Sequence, residues 1–83
     1  MVYHLQVVSS ITSKNAKSRH INVELENDFS SITEIEEEIS EKFHTKLSDL
    51  KSVNENEYIY NTTDENQRIH DYLIRIEEKS ENN

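Results

Sequence analysis

Carboxylates dominate the chemistry that this sequence offers. The chain has 83 residues, of which 17 are Asp or Glu and nine are Lys or Arg, and its formal net charge is −8. Positions 24–41 hold eight acids and no base, so this stretch alone carries a charge equal to the net charge. Because a surface placed only for solubility normally mixes both signs, the stretch is a candidate binding surface. Its candidate partner-binding residues are Glu24, Glu26, Asp28, Glu34, Glu37, Glu38 and Glu41.

A row of carboxylates can take the place of phosphates on a basic protein. On a helix, Glu34 and Glu38 would lie about 6 Å apart along the axis, and Glu34 and Glu41 about 10 Å apart. The shorter of these separations is comparable to that of successive phosphates on a nucleic acid strand. An acidic chain is itself a poor ligand for nucleic acid and for anionic membranes. The sequence therefore predicts a basic, nucleic-acid-binding protein as partner, with no direct nucleic acid and no membrane contact.

The alternative interpretation of this stretch is an ordinary solvated helix face, since runs of like charge usually face water. A catalytic interpretation is less favoured. Acid–base chemistry by carboxylates needs one of them desolvated inside a cleft, and Glu36 is the one acid near the apolar side of the predicted helix. The chain has no Cys and no Gly, which excludes thiolate nucleophiles and glycine-rich phosphate loops. We expect a protein that is not an enzyme and has no cofactor and no metal.

Two smaller groups are secondary candidates for partner binding. Lys14, Lys17 and Arg19 lie in the polar connection between two predicted strands. They form either a solvated turn, a phosphate contact or a second contact with the same partner. Tyr58 and Tyr60 share one face of a short predicted strand, where tyrosine suits an interface and core packing equally.

The elements that must position these residues begin with a predicted β-hairpin. Residues 2–11 are rich in β-branched and aromatic residues and alternate apolar and polar side chains over residues 3–7, and residues 20–26 repeat the alternation more cleanly. This period of two is typical of half-buried strands. In the second strand it predicts that Ile21, Val23 and Leu25 point inward.

An amphipathic helix is predicted over residues 31–50. Ser31 followed by Glu34 fits a capping box, and acids crowd the first turns, where the helix dipole favours them. Apolar residues recur every three or four positions, which defines one buried stripe, with the glutamates on the opposite face. The stripe consists of Ile32, Ile35, Ile39, Phe43, Leu47 and Leu50.

The last third of the chain predicts two more strands. Residues 57–60 fit a short strand and residues 61–67 a polar turn. Residues 68–78 fit either a strand or a helix, and their β-forming residues favour the strand. Residues 79–83 are expected to be a frayed tail. Residues 1–83 thus make a single α+β domain.

This order of elements, with the last strand returning beside the first, resembles the β-grasp of ubiquitin-like proteins. The resemblance implies a single-layer sheet with the helix packed on one face. Because the chain has no Gly, no conjugation tail accompanies it. The function that this resemblance implies is that of an adaptor, which would bind a protein through its sheet face or an edge strand.

In size, acidity and composition the chain resembles the small inhibitor proteins of phages and mobile elements, including anti-CRISPR proteins and inhibitors of DNA-processing enzymes. It is rich in Asn, Ile and Ser and has no Gly and no Pro, a bias typical of AT-rich coding. The resemblance implies an inhibitor that acts as a DNA mimic on a host or defence protein. We expect a cytoplasmic protein, because no signal peptide or spanning segment is evident. The charge favours a monomer, although an exposed strand edge could pair two copies.

Overall fold

The computed structural model describes residues 2–12 and 20–79, which form an antiparallel sheet crossed by one α-helix. This is the α+β class predicted from the sequence. The strands lie in the order β2-β1-β5-β4-β3. Since β2 and β3 are the two edges, the helix α1 between them crosses the whole sheet. The elements are β1 (Val2–Thr12), β2 (His20–Phe29), α1 (Ile32–Phe43), a 3-10 helix (Leu47–Asp49), β3 (Lys51–Ser52), β4 (Glu57–Thr63) and β5 (Ile69–Lys79).

The predicted hairpin is confirmed, and the ambiguous segment near the C-terminus is a strand. β5 pairs with β1 along its whole length, from Val2 opposite Lys79 to Thr12 opposite Ile69. The first and last strands therefore form the centre of the sheet. Lys79, the first residue of the predicted tail, belongs to β5, and residues 80–83 lie outside the described residues.

β4 is longer than predicted, because residues 61–63 continue the strand. The connection to β5 turns within residues 64–68, where Gln67 has a left-handed backbone with φ 61°. The Asp64 carboxylate accepts hydrogen bonds from the backbone N–H groups of Asn66 and Arg68, at 2.8 and 3.0 Å. Asp64 therefore supplies the turn chemistry that a glycine often provides elsewhere.

The core lies between α1 and the two central strands. Alternate residues of β1 and β5 point toward the helix, and Ile35 and Ile39 pack down on them, fully buried. Phe43 closes one end, with its ring centroid 5.2 Å from that of Tyr60 and 4.9 Å from that of Tyr72. The buried apolar residues are Leu5, Val7, Ile35, Ile39, Phe43, Leu50, Ile74 and Ile76.

The start of α1 is confirmed. The backbone N–H of Glu34 donates to the Ser31 hydroxyl at 3.2 Å, so Ser31 caps the helix as predicted. The Glu34 carboxylate reaches one residue further back than a capping box requires. It accepts from the Ser30 N–H at 3.2 Å and from the Ser30 hydroxyl at 3.0 Å.

The predicted end of the helix, at residue 50, is wrong. α1 ends at Phe43, and His44 caps it in a left-handed conformation with φ 57°, its N–H bonded to the Ser40 carbonyl at 2.8 Å. Leu47 and Leu50 still pack against the core, but from the 3-10 helix and the residue after it. The apolar spacing thus continues past the last helical turn because Leu47 and Leu50 pack on the core, although neither belongs to α1. The sequence does not show where the helix ends, because the left-handed residue that ends it is a histidine and not a glycine.

The inward direction predicted for Ile21 and Val23 is also wrong. Val7 pairs with Leu25 whereas Val8 pairs with Val23, so Glu24 is an extra residue, a β-bulge. One extra residue reverses the side of every side chain beyond it. Leu25 faces the helix side and is half-buried, but Ile21 and Val23 are 69% and 60% exposed. They lie on the sheet face away from α1, which we call the open face.

Candidate functional site

Four of the seven candidate acids lie together on the solvent side of α1. Glu34, Glu37, Glu38 and Glu41, the helix glutamates, line one shallow depression of about 560 Å³ beside Phe29. Glu38 is half-buried and the other three are exposed. Because the helix is anchored by its cap and by its buried isoleucines, these carboxylates are held on one rigid element.

The helix glutamates have no basic partner among residues 2–12 and 20–79. No described Lys, Arg or His lies within 4 Å of their carboxylates. Lys42 follows Glu38 by four residues, the spacing of a helical ion pair. Its Nζ instead lies 5.9 Å from the centroid of the Phe43 ring. The only described hydrogen bonds to these carboxylates are those from Ser30 to Glu34.

Glu26 and Asp28 lie on the open face, separated from the helix glutamates by the sheet. His4 Nδ1 is 2.6 Å from Asp28 Oδ1, and His4 Nε2 is 3.4 Å from Glu26 Oε2. Gln6 donates to Glu26 at 2.7 Å, and Lys79 Nζ is 3.9 Å from Asp28 Oδ1. These two candidate acids therefore have partners within the chain.

The contacts of His4 shift its titration. The hydrogen bond to Asp28, supported by Glu26 and opposed by burial, raises the pKa of His4 above its ordinary value of 6.5. The same bond lowers the pKa of Asp28 below its ordinary value of 3.8. Since both shifts favour the charged forms, this corner of the open face is an ion pair at mildly acidic pH.

Glu24, the bulged residue, has a structural contact of its own. Its Oε1 accepts a hydrogen bond from the buried Ser9 hydroxyl at 2.6 Å. Burial, and after it the charge of Glu24, raises the pKa of Tyr72. Glu24 thus satisfies a buried hydroxyl in the sheet and is not one of the four carboxylates gathered on α1.

Tyr58 and Tyr60 point toward the helix side of the sheet and are half-buried. The Tyr60 ring lies 6.1 Å from that of Tyr72 and 5.2 Å from that of Phe43. Of the two roles left open for these tyrosines, the contacts fit packing. Lys14, Lys17 and Arg19 lie outside the described residues.

An open groove of about 750 Å³ runs between α1 and the segment that leads to β3. Its titratable lining groups are Glu36, Glu37, Lys46 and Tyr58. Glu36 is exposed, so it is not the desolvated acid that catalysis would require. The described part of the chain contains no cluster of three or more His, Cys, Asp or Glu side chains placed to hold a metal ion.

Sequence reasoning missed one surface entirely. On the open face, Val23, Val8, Leu73 and Ile59 are direct neighbours across four strands, since Val8 pairs with Val23 and Leu73, and Leu73 with Ile59. We call these four residues the apolar row. The row exists only because the bulge turns Val23 outward, and the alternation in the sequence gave no sign of it.

Comparison of the chain with models of protein families, with curated proteins and with solved structures finds no match. Within the described ranges, no helix has the length and apolar character needed to cross a membrane.

Proposed function

We propose that this protein is a non-enzymatic inhibitor that binds a basic, nucleic-acid-binding protein through its helix glutamates. One observation carries the proposal. The four carboxylates lie side by side on α1 with no described cation within 4 Å, whereas Glu26 and Asp28 are paired with His4. A cationic groove that normally holds phosphates could bind the helix glutamates without displacing a described cation of this chain.

The rigidity of α1 supports this function. Ile35 and Ile39 are 0% and 1% exposed, and the Ser31 cap holds the first turn. The helical rise sets Glu34 and Glu38 about 6 Å apart along the axis, and Glu34 and Glu41 about 10 Å apart. The backbone that carries the carboxylates is therefore ordered before binding, which lowers the entropic cost of association. Such a surface binds fast and loses affinity steeply as salt rises.

The class of partner follows from the charge and from the resemblance in size and composition to phage and mobile-element inhibitors. We propose a host or defence protein that handles DNA or RNA in the bacterial cytoplasm, including the targets of anti-CRISPR proteins. By occupying the nucleic acid groove, the protein would act as a DNA mimic and would contact no nucleic acid itself.

The test is a capture experiment with two matched variants. The triple change Glu37→Gln, Glu38→Gln, Glu41→Gln removes three charges from the acidic helix surface. The control Glu55→Gln, Glu65→Gln, Glu78→Gln removes three charges from exposed acids without described ion pairs. Each immobilised protein is exposed to a low-GC bacterial lysate at low salt, and retained proteins are eluted with a short DNA duplex.

We expect wild type and control to retain the same nucleic-acid-binding protein, and the helix variant to lose it. The DNA duplex should release it, as should about 1 M salt, where the Debye length falls to about 3 Å. Equal retention by the helix variant would contradict the proposal. Release by salt without release by DNA would contradict mimicry in particular.

A second candidate function is that of an adaptor that binds a protein through the open face. The observation that favours it is the apolar row, with Val23 60% exposed. In that case Val23→Lys would abolish capture, the helix variant would leave it intact, and salt would have little effect because burial of apolar surface is not screened.

A further inference from the structure

The open face has an apolar centre that the residues described by the structure leave partly exposed. The apolar row crosses four strands, which at about 4.8 Å per strand makes it about 14 Å long. Ile21 extends the row on β2, where it and Val23 are 69% and 60% exposed. An antiparallel sheet that faces water on one side normally shows polar residues there. A continuous apolar row on such a face indicates that something covers it.

The polar groups that flank the row are already paired. On one side, Arg75 Nη2 is 2.9 Å from Glu57 Oε2, and Gln6 donates to Glu26 at 2.7 Å. On the other side, Asn61 Nδ2 is 3.2 Å from Asp71 Oδ1. Asp71 is bonded to a neutral amide, and Glu77, opposite His4 on the same face, has no described ion pair, so some negative charge remains. The open face still carries less unpaired charge than the helix side, and an acidic molecule meets less repulsion there.

We propose that the open face binds a second copy of this chain, sheet against sheet, to form a symmetric dimer. Charge distribution selects this occupant and this arrangement. Stacked sheets lie about 10 Å apart, and each outer helix layer adds about 10 Å. The two sets of helix glutamates then lie about 30 Å apart, well beyond the Debye length of about 8 Å at physiological salt. The net charge favoured a monomer, but the position of the helix glutamates on the far side of each sheet weakens that objection.

The edges of the sheet are less suited to pairing two copies. β2 carries the Glu24 bulge together with Glu26 and Asp28, and β3 has only two residues. Bulges, charges and short strands are the means by which proteins protect edges from pairing. The sequence suggested that two copies could pair through an exposed strand edge. The open face is better suited to self-association than either edge.

The pattern of charges also selects the symmetry. Arg75 and Asp71 flank Leu73 on β5, one on each side of the apolar row. With a two-fold axis along the row, Arg75 of each copy lies opposite Asp71 of the other copy, which gives two such contacts. Val23 of one copy then lies opposite Val23 of the other. An axis along the strands would instead bring Glu26 against Glu57. We infer the axis along the row, because it creates two opposite-charge contacts and no like-charge contact.

The area available fits a reversible dimer. β1, β2 and β5 have 11, 10 and 11 residues and β4 has seven. At about 3.3 Å per residue and about 4.8 Å between strands, they present about 600 Å² per copy. The total of about 1,200 Å² lies at the lower end of specific protein interfaces. We therefore expect a dissociation constant in the micromolar range, the weak end of what specific interfaces reach.

The test uses charge complementation at Val23, whose exposure makes substitution tolerable to the fold. Sedimentation equilibrium of the full chain should show a monomer–dimer equilibrium for wild type. Val23→Lys and Val23→Glu should each weaken dimerisation at least tenfold, because like charges meet across the axis. An equimolar mixture of the two variants should form the mixed dimer. Ser48→Lys, an exposed change on the helix side, should leave dimerisation unchanged.

A charge exchange tests the axis. Asp71→Arg alone should weaken dimerisation by setting two cations against each other, and adding Arg75→Asp should restore it. A wild type that stays monomeric up to about 1 mM would overturn the proposal and leave the open face to a different protein. Failure of the Val23 mixture to reassociate would overturn it as well. Apolar burial is not screened by salt, so raised salt should weaken this dimer only through its two Arg75–Asp71 contacts. Binding through the helix glutamates should instead be lost at high salt, so the two failures are distinguishable.

Discussion

Carboxylates have different surroundings on the two sides of this sheet. On α1 the helix glutamates face solvent with no described cation nearby, while on the open face Asp28 lies 2.6 Å from His4 and Glu57 lies 2.9 Å from Arg75. The chain thus separates a layer of carboxylates without described cations from a layer in which most acids have a partner. A net charge of −8 describes neither side well, and each side suits a different kind of partner.

The largest expected effect compares the two sides in stability. Ile39→Ala removes a fully buried side chain beneath α1 and should lower the free energy of unfolding by about 2–5 kcal/mol. Val23→Ala, on the open face, should change it by less than about 0.5 kcal/mol at concentrations where the chain is monomeric. Urea denaturation followed by circular dichroism measures both. A large loss for Val23→Ala would mean that the open face is covered within the monomer.

The next effect concerns the bulge that creates the apolar row. Glu24→Ala leaves the buried Ser9 hydroxyl without its acceptor, which should cost about 1–3 kcal/mol of unfolding free energy. Glu65→Ala, at an exposed position in the turn before β5, is the control and should change stability little. Equal stability of the two variants would show that water replaces Glu24 at no cost.

The smallest effect is the pH dependence of the open face. Because the pKa of His4 is raised above 6.5, its ion pair stabilises the fold below pH 6.5, and this contribution is lost as pH rises through the raised pKa. Because the pKa of Asp28 is lowered below 3.8, its contribution is present above pH 3.8 and lost as pH falls through the lowered value. The pair is therefore fully formed between these two ordinary values.

An NMR titration of the His4 ring checks this prediction. The measured pKa should lie above 6.5, and Asp28→Asn should bring it down, whereas Asp49→Asn, a change remote from His4, should not. A pKa of His4 that does not respond to Asp28→Asn would show that the charge of Asp28 does not set it. Binding through the helix glutamates should change little over the same interval, because no histidine lies within 4 Å of those carboxylates among the described residues.

Local patterns predicted much of the fold. The hairpin, the Ser31 cap and the buried face of α1 follow from residue spacing within one element, so a short window of sequence contains the whole signal. The end of α1 was predicted seven residues too late, because Leu47 and Leu50 are buried without being helical. Hydrophobic spacing reports burial, and it cannot tell a helical turn from a 3-10 turn that packs on the same core.

The candidate site was predicted only in part. The helix glutamates follow from a period of 3.6 residues and lie together as that period requires. The partners of Glu26 and Asp28 did not follow, because His4 and Lys79 are distant in sequence and meet them only through the pairing of β1 with β2 and β5. The register of these strands depends on the whole sheet, so a short window of sequence does not show which residues become neighbours.

The sequence by itself determined that this chain makes an α+β domain whose one helix has an apolar stripe opposite a run of glutamates, because helix periodicity is local. Tertiary structure decided which acids remain unpaired and which side chains lie on the open face. The physical reason is that a strand has a period of two, so the single extra residue at Glu24 reverses Ile21 and Val23. Only the pairing of β2 with β1 shows that the bulge lies at Glu24.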